Sequence, residues 1–249
     1  MIIQTLGTAS GKAVLHRQAS AIWIKTDQTN ILIDAGDNVT RQVIKFGYGA
    51  DDCDTIVVSH THPDHVGGLP ALLQWMHLEK RARDLKIYMP KGVISLFQKA
   101  MPLFNIFTER WDFSMSWFGI EHLKTITCGE LNIIPIKNTH VEKLENFSQK
   151  AGFKTEAFSF QIKDGQKNIL FTADVPNLNH LTPVAGKCEL LISECTHVSI
   201  EQGGQFQQRH RIKQLVFTHI PPELEPDCGY DQDNNQSVTF AADGDCFEV

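Results

Sequence analysis

The architecture and the chemistry of this chain are both indicated by one stretch, Thr55-Ile56-Val57-Val58-Ser59-His60-Thr61-His62-Pro63-Asp64-His65. Its first half is a short β-branched run, typical of a buried strand. Its second half packs three imidazoles and a carboxylate into six residues. On a loop that leaves the end of a strand, His60 and His62 can converge while Asp64 and His65 reach a neighbouring point. The pattern predicts two adjacent metal sites rather than a surface loop that happens to be rich in histidine.

The ligand types indicate which metals would bind. Neutral imidazole and carboxylate suit zinc, iron or manganese, and a site without thiolate ligands is more often catalytic than structural. We therefore predict two divalent metal ions, with Zn²⁺ as the first choice and Mn²⁺ or Fe²⁺ as alternatives.

Three further apolar runs end on a residue that can bind a metal. Residues 131–136 precede His140, residues 168–171 precede Asp174, and residues 214–217 precede His219. A single histidine after a strand is more often structural than metal-binding. Three such strand ends in one chain, together with the first motif, predict one shared site.

With these residues in place, the chain resembles the metallo-β-lactamase-fold hydrolases, whose His-x-His-x-Asp-His signature matches His60 to His65. The resemblance covers nearly the whole chain. The opening residues 6–11, the Ile33-Asp34-Ala35-Gly36 turn and Gly67-Gly68-Leu69-Pro70 are similar to those of ribonuclease Z-like proteins. The family implies an α/β fold, a four-layer αβ/βα sandwich of two mixed β-sheets flanked by helices.

The same resemblance implies a division of the ligands between two metals. Asp174 would bridge both. The first metal would be held by His60, His62 and His140, and the second by Asp64, His65 and His219.

Two divalent ions make hydrolysis the expected reaction. They lower the pKa of bound water from about 15.7 to roughly 7, so that a bridging hydroxide can attack. Asp64 is expected to accept a hydrogen bond from that hydroxide as well as to bind metal. His197 is placed like the extra histidine that phosphodiester-cleaving members use near the scissile phosphate, and we predict that it protonates the leaving alkoxide. The alternative for His197 is a helix cap.

Two departures from the family bear on the substrate. Members that trim tRNA precursors carry a long arm between the positions of His140 and Asp174, but this interval is only 34 residues long and predicts a plain hairpin. The acidic partner of the catalytic histidine is expected just before Asp174, where Phe171 stands instead. Both points argue against tRNA processing and favour a small phosphodiester, a nucleotide-type or cyclic one among them.

The charge of the chain supports the same conclusion. Lys plus Arg number 23 against 29 Asp plus Glu, a formal net charge of −6, so no global positive field would collect a long RNA. The basic runs Lys80-Arg81-Ala82-Arg83 and Arg209-His210-Arg211-Ile212-Lys213 read as solvated helix ends, because no stacking aromatics alternate with them.

Other functions stay open at this stage. Similar proteins open lactones or cleave thioesters with the same metals. A protein that binds metal and a partner without turnover is a third hypothesis, because aromatic residues crowd the segment from Phe97 to Phe118. Those aromatics fit a core, a homodimer interface or a wall of the substrate site. His16 and Arg17 either reach the metal cleft or form an exposed pair.

The remaining features predict a single domain over residues 1–249, since no linker-like segment interrupts the chain. No signal sequence or apolar run of membrane-spanning length is found, and the six cysteines are dispersed, which favours the reducing cytoplasm. Cys195 is expected to be a small buried residue, or else to face the site. We also predict a helix over residues 69–83 and a helix after Ile200 that is broken at Gly203-Gly204.

Overall fold

The computed structural model describes residues 1–165, 167–224 and 239–249. Within these ranges the strands form two seven-stranded sheets. Cys228 and Val238 lie outside the described residues. The sequence predicts that a terminal strand starts at Val238.

The first sheet has the strand order β14-β1-β2-β3-β4-β5-β6. Its strands are β1 (Ile2–Gly7), β2 (Ala21–Lys25), β3 (Asn30–Ile33), β4 (Thr55–Val57), β5 (Leu85–Pro90), β6 (Met115–Ile120) and β14 (Cys246–Glu248). β14, β1, β2 and β3 pair antiparallel, whereas β3 to β6 pair parallel. The sheet is therefore mixed, as the sequence predicts.

The second sheet has the strand order β13-β12-β11-β10-β9-β8-β7. Its strands are β7 (Ile126–Cys128), β8 (Leu131–Asn138), β9 (Ala157–Asp164), β10 (Lys167–Phe171), β11 (Leu190–Glu194), β12 (Gln214–Thr218) and β13 (Thr239–Phe240). β9 and β10 form the hairpin predicted between His140 and Asp174. Strands β10 to β13 pair parallel, so their carboxyl ends meet at one edge.

The described part of the chain contains six α-helices. They are α1 (Val39–Lys45), α2 (Pro63–Val66), α3 (Leu69–Leu78), α4 (Ile94–Ala100), α5 (Glu145–Lys150) and α6 (Ile200–His210). One apolar cluster packs α1 and α3 on the first sheet, a second lies between the sheets, and a third packs α6 on the second sheet. Burial of each sheet on both faces explains why strands such as β2 are almost entirely apolar. The predicted four-layer αβ/βα sandwich is confirmed.

Two predicted helices differ from those observed. The helix predicted over residues 69–83 ends at Leu78, because Lys80 adopts a left-handed conformation (φ 56°) that turns the chain. The break predicted at Gly203-Gly204 is wrong, since α6 is continuous. Gly203 is needed for packing, because a Cβ there would lie 2.5 Å from Cζ of Phe217. A reciprocal capping box between Ser199 and Gln202 starts this helix.

The aromatic segment divides between core and surface. Phe113 and Met101 are buried, and Phe97, Trp111 and Trp117 pack against the same cluster. Leu103, Phe104, Phe107 and Phe118 are exposed. The core interpretation is therefore correct for part of the segment, and contact of the exposed part with a second copy of the chain stays a prediction.

The described cysteines are free thiols, and Cys195 is buried as expected. None of the described helices is long and apolar enough to cross a membrane.

Arg81 contradicts the interpretation of its basic run as a solvated helix end, because its side chain is completely buried. The guanidinium donates hydrogen bonds to the backbone carbonyl oxygens of Ala50, Cys53, Arg83 and Asp84. It therefore ties the turn after α3 to the loop before β4. Arg83, two residues later, is exposed and pairs with Asp54, as a solvated residue would.

The replacement Arg81→Met should lower the free energy of unfolding by about 3 kcal/mol, because it strips buried carbonyls of their donors. Urea unfolding followed by circular dichroism would measure this loss. Arg83→Met is the matched control and should cost at most about 1 kcal/mol, since it removes an exposed pair. Equal losses in the two variants would contradict a structural role for the buried guanidinium.

Candidate metal centre

All seven predicted ligands lie at the ends of strands along one edge of the sandwich. His60 and His62 follow β4, and the short helix α2 starts at Pro63 and carries Asp64 and His65. The sequence predicts only a loop here, but proline at the first helical position favours this turn. The others follow the second sheet: His140 after β8, Asp174 after β10 and His219 after β12.

The structure brings these side chains together as two groups. His60, His62, His140 and Asp174 form one group, and in it the ligand atoms all lie within 4.8 Å of one another. Asp64, His65, Asp174 and His219 form the second group by the same measure. Asp174 belongs to both, which is the grouping that the family resemblance implies. That the seven residues bind metal stays a prediction, to which this geometry is suited.

Several ring nitrogens in the first group point toward one another, as they would around a bound cation. Nδ1 of His62 lies 3.0 Å from Nε2 of His60 and 3.2 Å from Nε2 of His140. A single proton cannot satisfy both contacts at once, whereas a metal ion accepts all three nitrogens.

Unpaired polar atoms in the second group support the same fit. Nε2 of His65 and Oδ1 of Asp174 are buried and lack a hydrogen-bond partner. The two atoms are 3.1 Å apart, but they do not meet in a hydrogen-bonding geometry. Buried polar atoms left in this state are costly unless something else satisfies them. Both atoms are of the types that bind a divalent cation, so the residues present fit a metal ion.

The protonation states of three ligands also suit metal binding, whereas that of His65 does not in the absence of a cation. Burial would lower the pKa of His65, but Asp174 and Asp34 more than offset it and raise that pKa well above its usual value. Burial, aided by the facing His65, holds the pKa of His60 well below its usual value. Burial lowers the pKa of His140 to about 4. Burial alone would raise the pKa of Asp174, but His65 and His219 more than offset it, so that this pKa lies well below its usual range. At neutral pH these three side chains thus have the protonation states that metal ligands need.

A buried carboxylate that the sequence did not single out as functional orients two of the histidines. Asp34 is completely buried at the end of β3 and accepts hydrogen bonds from the backbone N–H and the hydroxyl of Ser59 (2.7 and 2.9 Å). It also accepts one from Nδ1 of His65 at 2.7 Å. The Ser59 hydroxyl in turn lies 3.0 Å from Nδ1 of His60. These contacts turn Nε2 of both histidines toward the metal site.

Thr196 performs the same task for His219. Its hydroxyl donates to the backbone carbonyl of His219 at 2.9 Å and accepts from Nδ1 of that ring at 3.1 Å. Nε2 is thereby left to face Asp64, 3.1 Å away. No sequence pattern identifies this contact, because a threonine in a loop is common.

His197 has a carboxylate partner, Glu194. The sequence comparison with the family predicts that this partner is missing, because Phe171 stands where the family has its acidic residue. Glu194 is fully buried, and its Oε1 lies 3.1 Å from Nδ1 of His197. Its Oε2 accepts the backbone N–H groups of Thr196 and His197 at 2.6 and 2.8 Å. The hydrogen bond to Glu194 raises the pKa of His197. The spacing Glu-x-x-His, which starts at the last residue of β11, is the signal that would have identified the pair.

Backbone strain accumulates beside the ligands. His219 has φ 52° and Ala173, which precedes Asp174, has φ 44°, values that non-glycine residues rarely adopt. Such conformations persist only where the surrounding structure enforces them, and they often occur at functional sites.

The ligands open into a cleft of about 410 Å³. It is lined by Ser10, Gly11, Lys12, His62, Asp64, His140, Asp174, Thr196, His197, His219, Pro221 and Glu223. The side chain of His197 is 38% exposed and its ring centroid is 4.8 Å from that of His140, so it borders the first ligand group. A larger cavity of about 580 Å³ lies near Lys25 and Glu130, and none of the seven ligands lines it.

His16 and Arg17 are not among the residues that line this cleft. Arg17 instead donates hydrogen bonds to the Thr8 hydroxyl and to the carbonyl of Ala241, whereas the side chain of His16 is exposed. The aromatic segment from Phe97 to Phe118 is also absent from the described lining, so the substrate-wall interpretation receives no support.

Known proteins share this architecture. Ribonuclease Z from Pyrococcus abyssi is 26% identical over 80% of this chain and 76% of its own length. The metallo-β-lactamase-fold protein YhfI from Bacillus subtilis superposes with a TM-score of 0.79 at 19% identity, covering 100% of this chain and 98% of that one. The short form of human tRNase Z gives a TM-score of 0.77 at 19% identity, covering 100% and 99%. The chain therefore has the metallo-β-lactamase fold, as the sequence predicted, and it is similar to proteins named ribonuclease Z.

A family model gives the more specific assignment. The model described as anti-Pycsar protein Apyc1 matches residues 1–216. This match covers most of the 249 residues and all of the predicted ligands except His219. The chain therefore belongs to the anti-Pycsar protein Apyc1 family.

Proposed function

We propose that this chain is a phosphodiesterase that uses two divalent metal ions and acts on small or cyclic phosphodiesters. The observation that carries the proposal is the position of His197. It borders a cleft containing two ligand groups that share Asp174, and a buried glutamate holds its ring. Similarity to proteins named ribonuclease Z supports phosphodiester chemistry.

The two ligand groups would hold one ion each. His60, His62 and His140 would bind the first ion, Asp64, His65 and His219 the second, and Asp174 both. We propose Zn²⁺, because most of the donors are imidazole nitrogens. When bound, two such ions lower the pKa of water toward about 7 and stabilise the attacking and leaving oxygens of a displacement.

Asp64 has a second function in this proposal. Its carboxylate lines the cleft and one of its oxygens lies 3.1 Å from Nε2 of His219. The other oxygen is available to accept a hydrogen bond from the attacking water. That bond fixes the direction of the water's lone pair toward phosphorus.

His197 would supply the proton that the leaving oxygen needs. With Nδ1 held by Glu194, Nε2 is the ring atom left to meet the substrate. The raised pKa of His197 favours the protonated ring, which is the form an acid catalyst requires. Glu194 acts through His197 and is therefore a positioning residue.

The shape and charge of the cleft support a small substrate. Its volume of about 410 Å³ lies near the lower end of the range for small-molecule sites. The interval between His140 and Asp174 consists of a short 3-10 turn, α5 and the β9–β10 hairpin, which leaves no room for an RNA-binding arm. The net charge of −6 further disfavours collection of a long polyanion.

The first experiment is hydrolysis of bis(4-nitrophenyl) phosphate and of cyclic nucleoside monophosphates by protein loaded separately with zinc, manganese or iron. Metal-dependent turnover of either substrate supports the proposal. Full metal loading without phosphodiester turnover would overturn it, and the lactone and thioester substrates would then be tested. Failure there would favour a protein that binds metal without catalysis.

The replacement Asp174→Ala should abolish both the pairing of metals and activity, because this carboxylate belongs to both ligand groups. Metal content measured by mass spectrometry should fall to one ion or fewer per chain. Asp164→Ala, at the opposite end of the same hairpin, is the control and should retain both metals. Full occupancy and rate in the Asp174 variant would show that the ligand assignment is wrong.

The acid function of His197 predicts an effect that depends on the leaving group. His197→Ala should slow hydrolysis of a cyclic nucleoside monophosphate, which releases an alkoxide, by about 10²–10⁴-fold. The loss on bis(4-nitrophenyl) phosphate should be smaller, because nitrophenolate leaves without a proton. Glu194→Gln should show the same dependence to a lesser degree, since the amide keeps the shape of the carboxylate but not its charge.

Metal content must stay unchanged in both variants for this comparison to hold. A loss that is equal for the two leaving groups would point to His197 as a binding residue instead of an acid.

A further inference from the structure

Lys12 is the one lysine or arginine among the described residues that line the metal cleft. Asp64, Asp174 and Glu223 contribute carboxylates to the same lining. The first two belong to the ligand groups, so bound cations would offset their charge. Apart from His197, Lys12 and Glu223 therefore carry the charges of the described cleft lining that do not belong to the two ligand groups.

These two residues form an ion pair. Nζ of Lys12 lies 2.5 Å from Oε1 of Glu223. Their loops leave β1 and β12, and backbone contacts join them just before the pair. Ala9 and Ile220 form a parallel bridge, Ile220 donates to the carbonyl of Thr8 at 2.8 Å, and Ser10 donates to the carbonyl of Ile220 at 3.2 Å. The two charged side chains thus extend from a fixed backbone on the same rim of the cleft.

That rim lies directly against a proposed metal ligand. A Cβ added to Gly11 would be 3.3 Å from Oδ2 of Asp64. Lys12 is the next residue, and Glu223 follows His219 by four positions. A molecule bound at the metals is therefore close to both members of the pair.

The pair is easy to exchange. The side chains of Lys12 and Glu223 are 68% and 62% exposed. Ion pairs this exposed contribute about 0–1 kcal/mol, so that an anion in the cleft can replace the glutamate at little cost. A lysine ammonium is a flexible point charge that commonly binds phosphate.

We propose that Lys12 and Glu223 set the charge of the substrate that the cleft accepts. On binding, Lys12 leaves Glu223 and pairs with one anionic oxygen of the phosphodiester. Glu223 then stands beside the substrate as an unpaired carboxylate and disfavours a further phosphate at that rim. The cleft would thus select phosphodiesters with a single negative charge over those that carry an additional phosphate group, an inference that rests on the proposed phosphodiesterase function.

The two charges act in opposite directions on two classes of substrate. Lys12 attracts every anion, whereas Glu223 repels mainly those with charge beyond the scissile group. Removing one residue therefore does not reproduce the effect of removing the other. This asymmetry separates substrate selection from a merely structural pair, whose two members would behave alike.

The test uses two chromogenic substrates that differ by one phosphate. These are the 5′-(4-nitrophenyl) esters of thymidine 5′-phosphate and of thymidine 3′,5′-bisphosphate, assayed with zinc-loaded enzyme. Lys12→Met should raise KM about tenfold for the first substrate, which corresponds to about 1.4 kcal/mol. Glu223→Gln should lower the preference for the first substrate over the second by at least about fivefold at low salt.

Binding provides a readout independent of turnover. Calorimetric titration with thymidine 5′-monophosphate and with thymidine 3′,5′-bisphosphate should show the same change of preference in Glu223→Gln. Lys124 and Glu121 form a matched control pair, 2.9 Å apart and 69% and 48% exposed, and neither residue lines the cleft. Lys124→Met and Glu121→Gln should leave KM and the preference unchanged.

The outcomes distinguish this inference from the function on which it rests. If the unmodified enzyme cleaves neither ester, the proposed phosphodiesterase function fails. If it cleaves them but Lys12→Met and Glu223→Gln both leave KM and the preference within about twofold, the pair has no more effect than any exposed ion pair and the inference is overturned. An equal effect of both variants on the two substrates would also overturn it.

Discussion

The geometry of the candidate metal centre depends on one buried carboxylate, that of Asp34. It lies at the end of β3, where its own backbone is held at φ 63°, and it ties the residue before His60 to the ring of His65. A charge buried this deeply is stable only while all of its hydrogen bonds are made. The same hydrogen bonds of Asp34 therefore both place two ligands and stabilise the strand ends. For this reason the arrangement of the motif from His60 to His65 depends on the turn that contains Asp34.

Much of the site was predictable because its ligands follow apolar strands of obvious pattern. Parallel strands deliver their carboxyl ends to one edge, so a histidine or aspartate at each end is enough to predict that they converge. The partners of the ligands were not predictable in the same way. Thr196 and Glu194 act through the orientations of their side chains at and just after the end of β11, and sequence periodicity does not indicate these orientations. Arg81 and Gly203 show the same limit in the fold, since burial of a cation and close packing against Phe217 depend on tertiary contacts.

The end of β11 and the loop after it, from Glu194 to His197, connect the two halves of the proposed chemistry. Thr196 orients His219, a ligand of the second group, while Glu194 orients His197 at the border of the first. Because Oε2 of Glu194 also accepts the backbone N–H groups of Thr196 and His197, the loop cannot change shape without disturbing both. The carboxylate that holds His197 thus comes from the end of β11, close in sequence to His197, and not from the strand that precedes Asp174. The carboxylate partner of His197 is thus identified by its contact with the imidazole ring and not by its position in the sequence.

Strand β14 completes the first sheet by pairing with β1, where Ile2 lies opposite Glu248. Just before it, Asp243 accepts hydrogen bonds from the backbone N–H and the hydroxyl of Thr8 and from the backbone N–H of Gln18, and so anchors the segment that contains Gly11 and Lys12. These contacts join residues that are among the most distant in sequence, and contacts of this kind form late and slowly in folding. During synthesis on the ribosome the seven ligands emerge before this anchor does. One rim of the cleft therefore takes its final form only after all seven predicted ligands have been synthesised, so a nascent chain contains these residues before it has the complete cleft.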